Sequence, residues 1–319
     1  MTSYLVFMLT LAGVYALMSL GLVTIWGQGG MVNLGLVGFF AVGAYASALL
    51  SQSGVPIGFT LLVGALVAGL VGVALSFVTR PLRGDYLAIV TLGFAEVIRL
   101  VATNEKWLTG GSDGLAGIRS PLKPELGAWH PYFYLLLVWA FAGVAALLLT
   151  RLLRSPYGRA LRAVRDDEQV AAVAGKPVLQ LKLKTFFLGS ALTGLAGGLY
   201  AHLTSYIAPD GFVPLLTIYI FLAATAGGYT RVVGAIVGSV AVVVLLEGTR
   251  FIAATVPGLN AVQVASAREF VIAVGLIAIM HLRPEGLFQS VNQSAAAEPA
   301  SAPGTASAEA SAEPVGSTA

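Results

Sequence analysis

The feature that most constrains this chain is a succession of apolar runs, each close to the length at which a helix crosses a bilayer. About 20 apolar residues span a hydrocarbon core of roughly 30 Å, and such runs recur from residue 4 to residue 282. They fall at about 4–25, 33–51, 57–79, 86–103, 131–151, 184–206, 212–228, 232–249 and 267–282. Helices are the expected form, because an open strand edge in lipid leaves backbone groups without partners. The seventh and ninth runs are short, and the Gly-rich start of the second (Gly27 to Tyr45) reads as broken or re-entrant. The chain is therefore expected to be an all-α, polytopic transmembrane helical bundle of about 8–10 spans with no soluble domain, covering residues 1–288.

Composition agrees. Charged residues make up only 10% of the 319, hydrophobic ones 57%, and the 38 glycines lie inside apolar runs rather than in linkers. A soluble α/β enzyme is excluded. With no cysteine there is no disulfide and no thiolate metal or iron–sulfur site. A net charge of +3 is too small to point to nucleic acid. The opening MTSY lacks a basic stretch and a cleavage site, so the first run is expected to be retained as a span.

Basic residues set the expected orientation. Eight of the 18 (Arg151, Arg154, Arg159, Arg162, Arg165, Lys176, Lys182, Lys184) lie between residues 151 and 184, opposed only by Asp166, Asp167 and Glu168. That loop should be cytoplasmic. Counting outward puts Arg80, Arg83, Arg231 and Arg283 on the same side and the 104–130 loop outside, with the C-terminus inside. Residues 289–319, rich in Ala, Ser, Pro, Glu and Gly, have little to bury and are expected to form a disordered cytoplasmic tail.

Three segments stand out. In Ser155 to Val178, Leu161, Val164, Ala171 and Ala172 fall on one helical side, with Arg159, Arg162 and Arg165 on another. Arg162 is spaced to pair with Asp166, and Arg165 with Glu168, before Gly175 and Pro177 stop the helix. Two readings stand: a compact projection gripped by a soluble partner, or an interfacial helix held by anionic lipid. The second segment is Arg83 to Asn104, where Glu96 and Arg99 sit inside an apolar run. Each charge costs about 2.5–3.5 kcal/mol at mid-bilayer, so each should face protein or water and find a partner. Either they line a substrate route or they neutralise each other and lock helices together. Glu247 and Arg250 repeat the spacing, which suggests an internal repeat of four spans.

The third is a set of small-residue patterns, Gly194-x-x-x-Gly198 and Gly234-x-x-x-Gly238, expected to let helices pack backbone to backbone. The loop Thr109 to Gly117 (TGGSDGLAG) reads as turns or a docking surface. There is no G-x-x-x-x-G-K-S/T stretch to hold nucleotide, no grouping of His130, His202 and His281 at metal-ligand spacing, and no nucleophile pattern. The chain is not read as an enzyme.

Arg83 to Leu115 (RGDYLAIVTLGFAEVIRLVATNEKWLTGGSDGL) and Ser155 to Gly175 (SPYGRALRAVRDDEQVAAVAG) resemble two motifs of the branched-chain amino acid permeases of ABC importers, specifically the LivM-like member of the permease pair. Weaker likeness runs over Gly21 to Leu50 and Lys184 to Gly238, so the resemblance covers roughly residues 17–285. The chain departs from the family where S-L-G-H becomes Asn33, Leu34, Gly35, Leu36, and where G-G-x-G becomes Gly227, Gly228, Tyr229, Thr230. Of the E-A-A-x-x-x-G pattern of importer loops only Ala171 and Gly175 fit. The resemblance implies a bacterial inner-membrane subunit beside a homologous permease, two cytoplasmic ATPases that bind the ATP, an extracytoplasmic binding protein, and no cofactor of its own. It further implies that Arg159, Arg162, Arg165, Asp166, Asp167 and Glu168 contact the ATPase, with Gly175 as the turn. Similar permeases handle urea, short amides or aromatic acids; the reading from another class is an ion-coupled secondary transporter with Glu96 as its ionisable group.

Overall fold

The computed structural model describes residues 2–255 and scattered positions between 263 and 274. The ninth predicted span and the 289–319 tail therefore lie outside the described residues. The long helices are α1 (Thr2–Leu22), α2 (Leu36–Gln52), α3 (Ile57–Val78), α4 (Gly84–Asn104), α7 (His130–Arg154), α10 (Val178–Thr204), α11 (Pro214–Gly227) and α12 (Val232–Thr255). Each of the first eight predicted spans is thus a helix. Single turns α5 (Lys106–Thr109) and α6 (Lys123–Leu126) lie in the loop before α7, and α8 (Pro156–Asp166) and α9 (Glu168–Val173) fill the loop after it. Among the described residues, six helical segments are long and apolar enough to cross a membrane; Leu36–Gln52 and Val232–Glu247 are shorter apolar helices.

Two helices form the interior. α10 packs against α3, α2 and α1, while α1 packs against α12, α10 and α7. Lipid offers no hydrophobic force to press helices together, so close backbone approach has to do it. Gly194 and Gly197 of α10 sit against α3 and α2 so tightly that an added Cβ would overlap Ala68 in one case and the Phe40 carbonyl in the other. Gly227, Gly234 and Gly238 bring α11 and α12 together in the same way, with Gly238 on the Ala223 carbonyl. The small-residue patterns are packing faces.

The expected break in the second segment is present. α1 runs on as a π-helical turn, Val23–Gln28, and regular helix resumes only at Leu36. Irregular backbone at membrane depth is tolerated only inside protein, and several of the freed amides here have partners. Thr91 Oγ1 accepts from Leu34 N (3.0 Å), Asn33 Oδ1 from Gly35 N (2.9 Å) and Thr217 Oγ1 from Val37 N (3.1 Å). Trp26 stacks on Tyr229 at 4.7 Å and Gln28 donates to the Thr230 carbonyl at 2.6 Å. Both departures from the family pattern thus have structural uses.

Contacts between loops sort the molecule into two ends. Arg165 donates to the Gly27 carbonyl, Gln28 to Thr230, and Arg83 pairs with Glu168, which gathers the basic segments at one end. At the other, strand β1 (Leu115–Ala116) pairs antiparallel with β2 (Tyr206–Ile207), and Gln52 donates to Ala116 O at 3.0 Å. His202, fully buried in α10, bonds to Ser47 at 2.9 Å and through Nδ1 to the Arg119 carbonyl at 2.6 Å, tying that loop to the core. Gly110, Gly111, Gly114 and Gly117 all take positive φ, so TGGSDGLAG is a string of turns. Tyr4 donates to Glu247 Oε2 at 2.6 Å, which sets the start of α1 at the end away from the basic segments.

Replacing Gly197 with Val should cost roughly 2 kcal/mol or more through overpacking and lower the melting temperature of the detergent-purified protein. Gly143→Ala, on α7 where a Cβ meets nothing within 4 Å, should leave it unchanged.

Candidate coupling projection and intramembrane ion pair

The segment from Ser155 to Val178 folds as two short helices rather than one. Ser155 caps α8, its hydroxyl accepting from Tyr157 N at 3.2 Å with Pro156 in the first turn. Asp167 then takes an extended conformation and its carboxylate accepts from Gln169 N (2.8 Å) and Val170 N (3.0 Å), starting α9. Gly175, at φ +76°, ends it. Leu161, Val164 and Ala171 face inward, Val164 and Ala171 packing with Leu181. Ala172, placed on that side by the helical count, is exposed instead, because the break at Asp167 resets the helix phase.

The predicted ion pairs do not form, and this break accounts only for the loss of Arg165 with Glu168. Arg165 and Glu168 are on different helices and do not pair; neither do Arg162 and Asp166. Arg165 contacts its neighbour Asp166 (3.1 Å) and donates from Nη1 to Gly27 O at 2.9 Å. Arg162 donates to the Leu153 carbonyl at 3.2 Å. Glu168 is taken by two residues that the sequence did not single out: Lys182 on α10 (2.7 Å) and Arg83 at the start of α4 (3.1 Å). Lys182 keeps 12% of its side chain accessible and Glu168 24%, so this pair is better shielded than an ordinary surface bridge. Tyr157, half-buried in the first turn of α8, shares a hydrogen bond with Thr185 at 2.9 Å. Burial pushes its phenol above the ordinary pKa and the Thr185 bond opposes this, so the group stays neutral.

The projection is therefore pinned to the bundle by Glu168 and Tyr157 to α10, Glu168 to α4, Arg165 to the α1 terminus, and Arg162 and Arg159 to α7. Its outer surface carries Arg159, Asp166, Asp167, Gln169, Val170, Ala172, Val173 and Gly175, all exposed. Val170 is 64% and Val173 91% accessible, an apolar tip ringed by charge.

Glu96 and Arg99 do pair. The Arg99 Nε lies 3.1 and 3.0 Å from the two carboxylate oxygens, with a further bond from Nη2. Only one stripe of α4 is buried, chiefly Ala88, Thr91, Ala95 and Ala102 against the bundle. Ile89, Val97, Leu100 and Val101 are exposed, and the pair keeps 39% and 26% accessibility on Glu96 and Arg99. Arg250's side chain lies outside the described residues; α4 and α12 both start at the basic end.

Residues 4–280 match a family described as the permease component of the branched-chain amino acid transport system. The chain belongs to this family. Among curated relatives, the high-affinity branched-chain amino acid transport system permease protein LivM of Escherichia coli K12 is 32% identical over 262 residues, 75% of this chain and 62% of that protein. The chain thus spans less than two thirds of that relative's length. A probable LivM of Methanocaldococcus jannaschii is 28% identical over 257 residues (68% of this chain, 72% of the relative), and the LivH permease of E. coli K12 27% over 259 (72% and 79%). No solved structure matches the permease.

Asp167→Ala should remove the α9 cap, worth about 1 kcal/mol. Hydrogen exchange at the Gln169 and Val170 amides should speed up roughly fivefold while the α10 core stays protected.

Proposed function

We propose that this permease is the membrane-spanning subunit of a binding-protein-dependent ABC importer for branched-chain or related hydrophobic amino acids, driven by separate ATPase subunits. The observation that carries the reading is the projection itself: a short, capped, amphipathic double helix with an apolar tip, pinned at its base and free at its top. A surface with Val173 almost wholly exposed is poorly designed for water and well shaped for a cleft in a soluble partner. The family's description as a branched-chain amino acid permease supports the amino-acid assignment, and the basic character of this end supports placing it on the cytoplasmic side of an inner membrane.

The pins give the projection a mechanical role. Closure of an ATPase dimer on ATP would displace α8 and α9 together. Glu168 would pass that motion to α10 through Lys182 and to α4 through Arg83, while Arg165 would move the α1 terminus beside the buried break. α4 is the helix whose outward face carries Glu96 and Arg99. Facing lipid, that pair would be expensive; covered by a second, homologous permease subunit, it can line or brace the path between the two. Opening and closing that path by a population shift between two packed arrangements is the expected importer cycle.

The ion-coupled alternative fares worse on a specific point. Secondary transporters present the ends of broken helices to substrate or ion. Here the amides of Leu34, Gly35 and Val37 at the start of α2 are already bonded by Thr91, Asn33 and Thr217, and Glu96 is held by Arg99.

Vesicles holding the assembled complex should take up labelled leucine, in preference to urea, when ATP is supplied to the ATPase side. Val173→Asp should reduce that uptake at least tenfold without lowering the amount of permease in the membrane. Uptake by the chain alone, driven by an ion gradient, would contradict the proposal. Glu168→Lys should impair coupling, and adding Lys182→Glu should recover part of it, as measured by ATP hydrolysed per leucine transported.

A further inference from the structure

A groove of about 470 Å³ opens sideways between α3, α7 and α10 near the basic end, lined by Val73, Leu152, Tyr157, Leu183, Lys184, Phe187 and Leu188. Five of these side chains are hydrocarbon, and no carboxylate lines the groove. α10 presents Lys184, Phe187 and Leu188 along one stripe, flanked by Val73 of α3 and Leu152 of α7. At roughly 30 Å³ for a water-sized group, the space suits a chain of about fifteen methylenes, close to one fatty acyl tail.

The charge around the groove is unbalanced. Lys184 is exposed and makes no ion pair among the described residues, and the same holds for Arg151 and Arg154, which flank Leu152 in the last turn of α7. The nearest carboxylate in sequence, Glu168, is already taken by Lys182 and Arg83. The polar floor is closed too, since the Tyr157 hydroxyl is bonded to Thr185. What remains is an apolar slot with an unpaired ammonium at its mouth, at the level where the basic loop leaves the helices. Basic pockets of this kind between membrane helices attract acidic headgroups.

We propose that this groove is a binding site for an anionic phospholipid, one acyl chain lying along Val73, Leu152, Phe187 and Leu188 and the phosphate paired with Lys184. The site sits beside the base of the projection, because Tyr157 belongs both to the groove wall and to α8. A bound lipid would therefore brace the hinge on which α8 turns. The proposal requires α3, α7 and α10 to be membrane helices; it does not require an ATPase partner, so the two can fail separately.

The test is native mass spectrometry of the purified complex in detergent, titrated with phosphatidylglycerol or phosphatidylcholine of identical acyl chains. Phosphatidylglycerol should be retained several-fold better. Lys184→Ala should weaken its retention about fivefold, the effect of one lysine at an acidic surface, and leave phosphatidylcholine unchanged. Lys184→Arg should keep the preference, and Leu188→Trp, which fills the slot, should reduce both lipids while the variant complex elutes as the parent does. An unchanged lipid ratio in Lys184→Ala would overturn the proposal. So would lipid binding that occurs only after the other subunits are stripped away, which would make the groove a subunit contact.

Discussion

In a bilayer the water that drives soluble folding is absent, and what fixes this bundle is contact between bare backbones. α10 shows it most clearly: where Gly194 and Gly197 meet α3 and α2, there is no room for a methyl group. A helix held that way cannot slide or rotate a little; it either stays or moves with its neighbours. Since α10 also emerges directly from the projection, separated from α9 only by Ala174, Gly175, Lys176 and Pro177, the most tightly packed helix in the bundle is attached to its most exposed surface. The Lys182–Glu168 bridge closes that joint from the side.

The break between α1 and α2 follows the same economy of partners. The amides of Leu34, Gly35 and Val37 find oxygens from other helices, Thr91 on α4 and Thr217 on α11, or from Asn33 within the break itself. The irregular segment therefore knits α2 to helices on either side of it. Arg165 reaches this region from the projection, so movement at the basic end is felt both at α10 and at the break.

Much of this was legible in the sequence because the signals are local. Apolar length placed the helices, basic residues sorted the loops to one end, glycine at four-residue spacing marked the packing faces, and Glu96 with Arg99 needed only one turn of helix to meet. Boundaries went astray where polar residues stay helical: α10 begins at Val178, six residues before the apolar run at 184, since Gln180 and Lys182 are good helix formers and Lys182 is held by Glu168. Arg162 misses Asp166 although both lie on α8, because its guanidinium turns to the Leu153 carbonyl and Asp166 is taken by Arg165; the pair assigned to Glu168 fails for another reason. Asp167 prefers capping a new helix to continuing the old one, and that choice frees Glu168 for partners 85 and 14 positions away in sequence, which no spacing rule can find.

The central claim is that Val173 and its surroundings are gripped by a separate nucleotide-hydrolysing subunit. The chain contains no cysteine, so Val173→Cys introduces a unique thiol at a position that is 91% accessible. In the assembled complex, a short bifunctional thiol-to-amine reagent should link that residue to the ATPase subunit, with a yield that changes when ATP binds. Free reaction of the same thiol with a bulky maleimide in an active complex, and no link to the ATPase in any nucleotide state, would contradict the account.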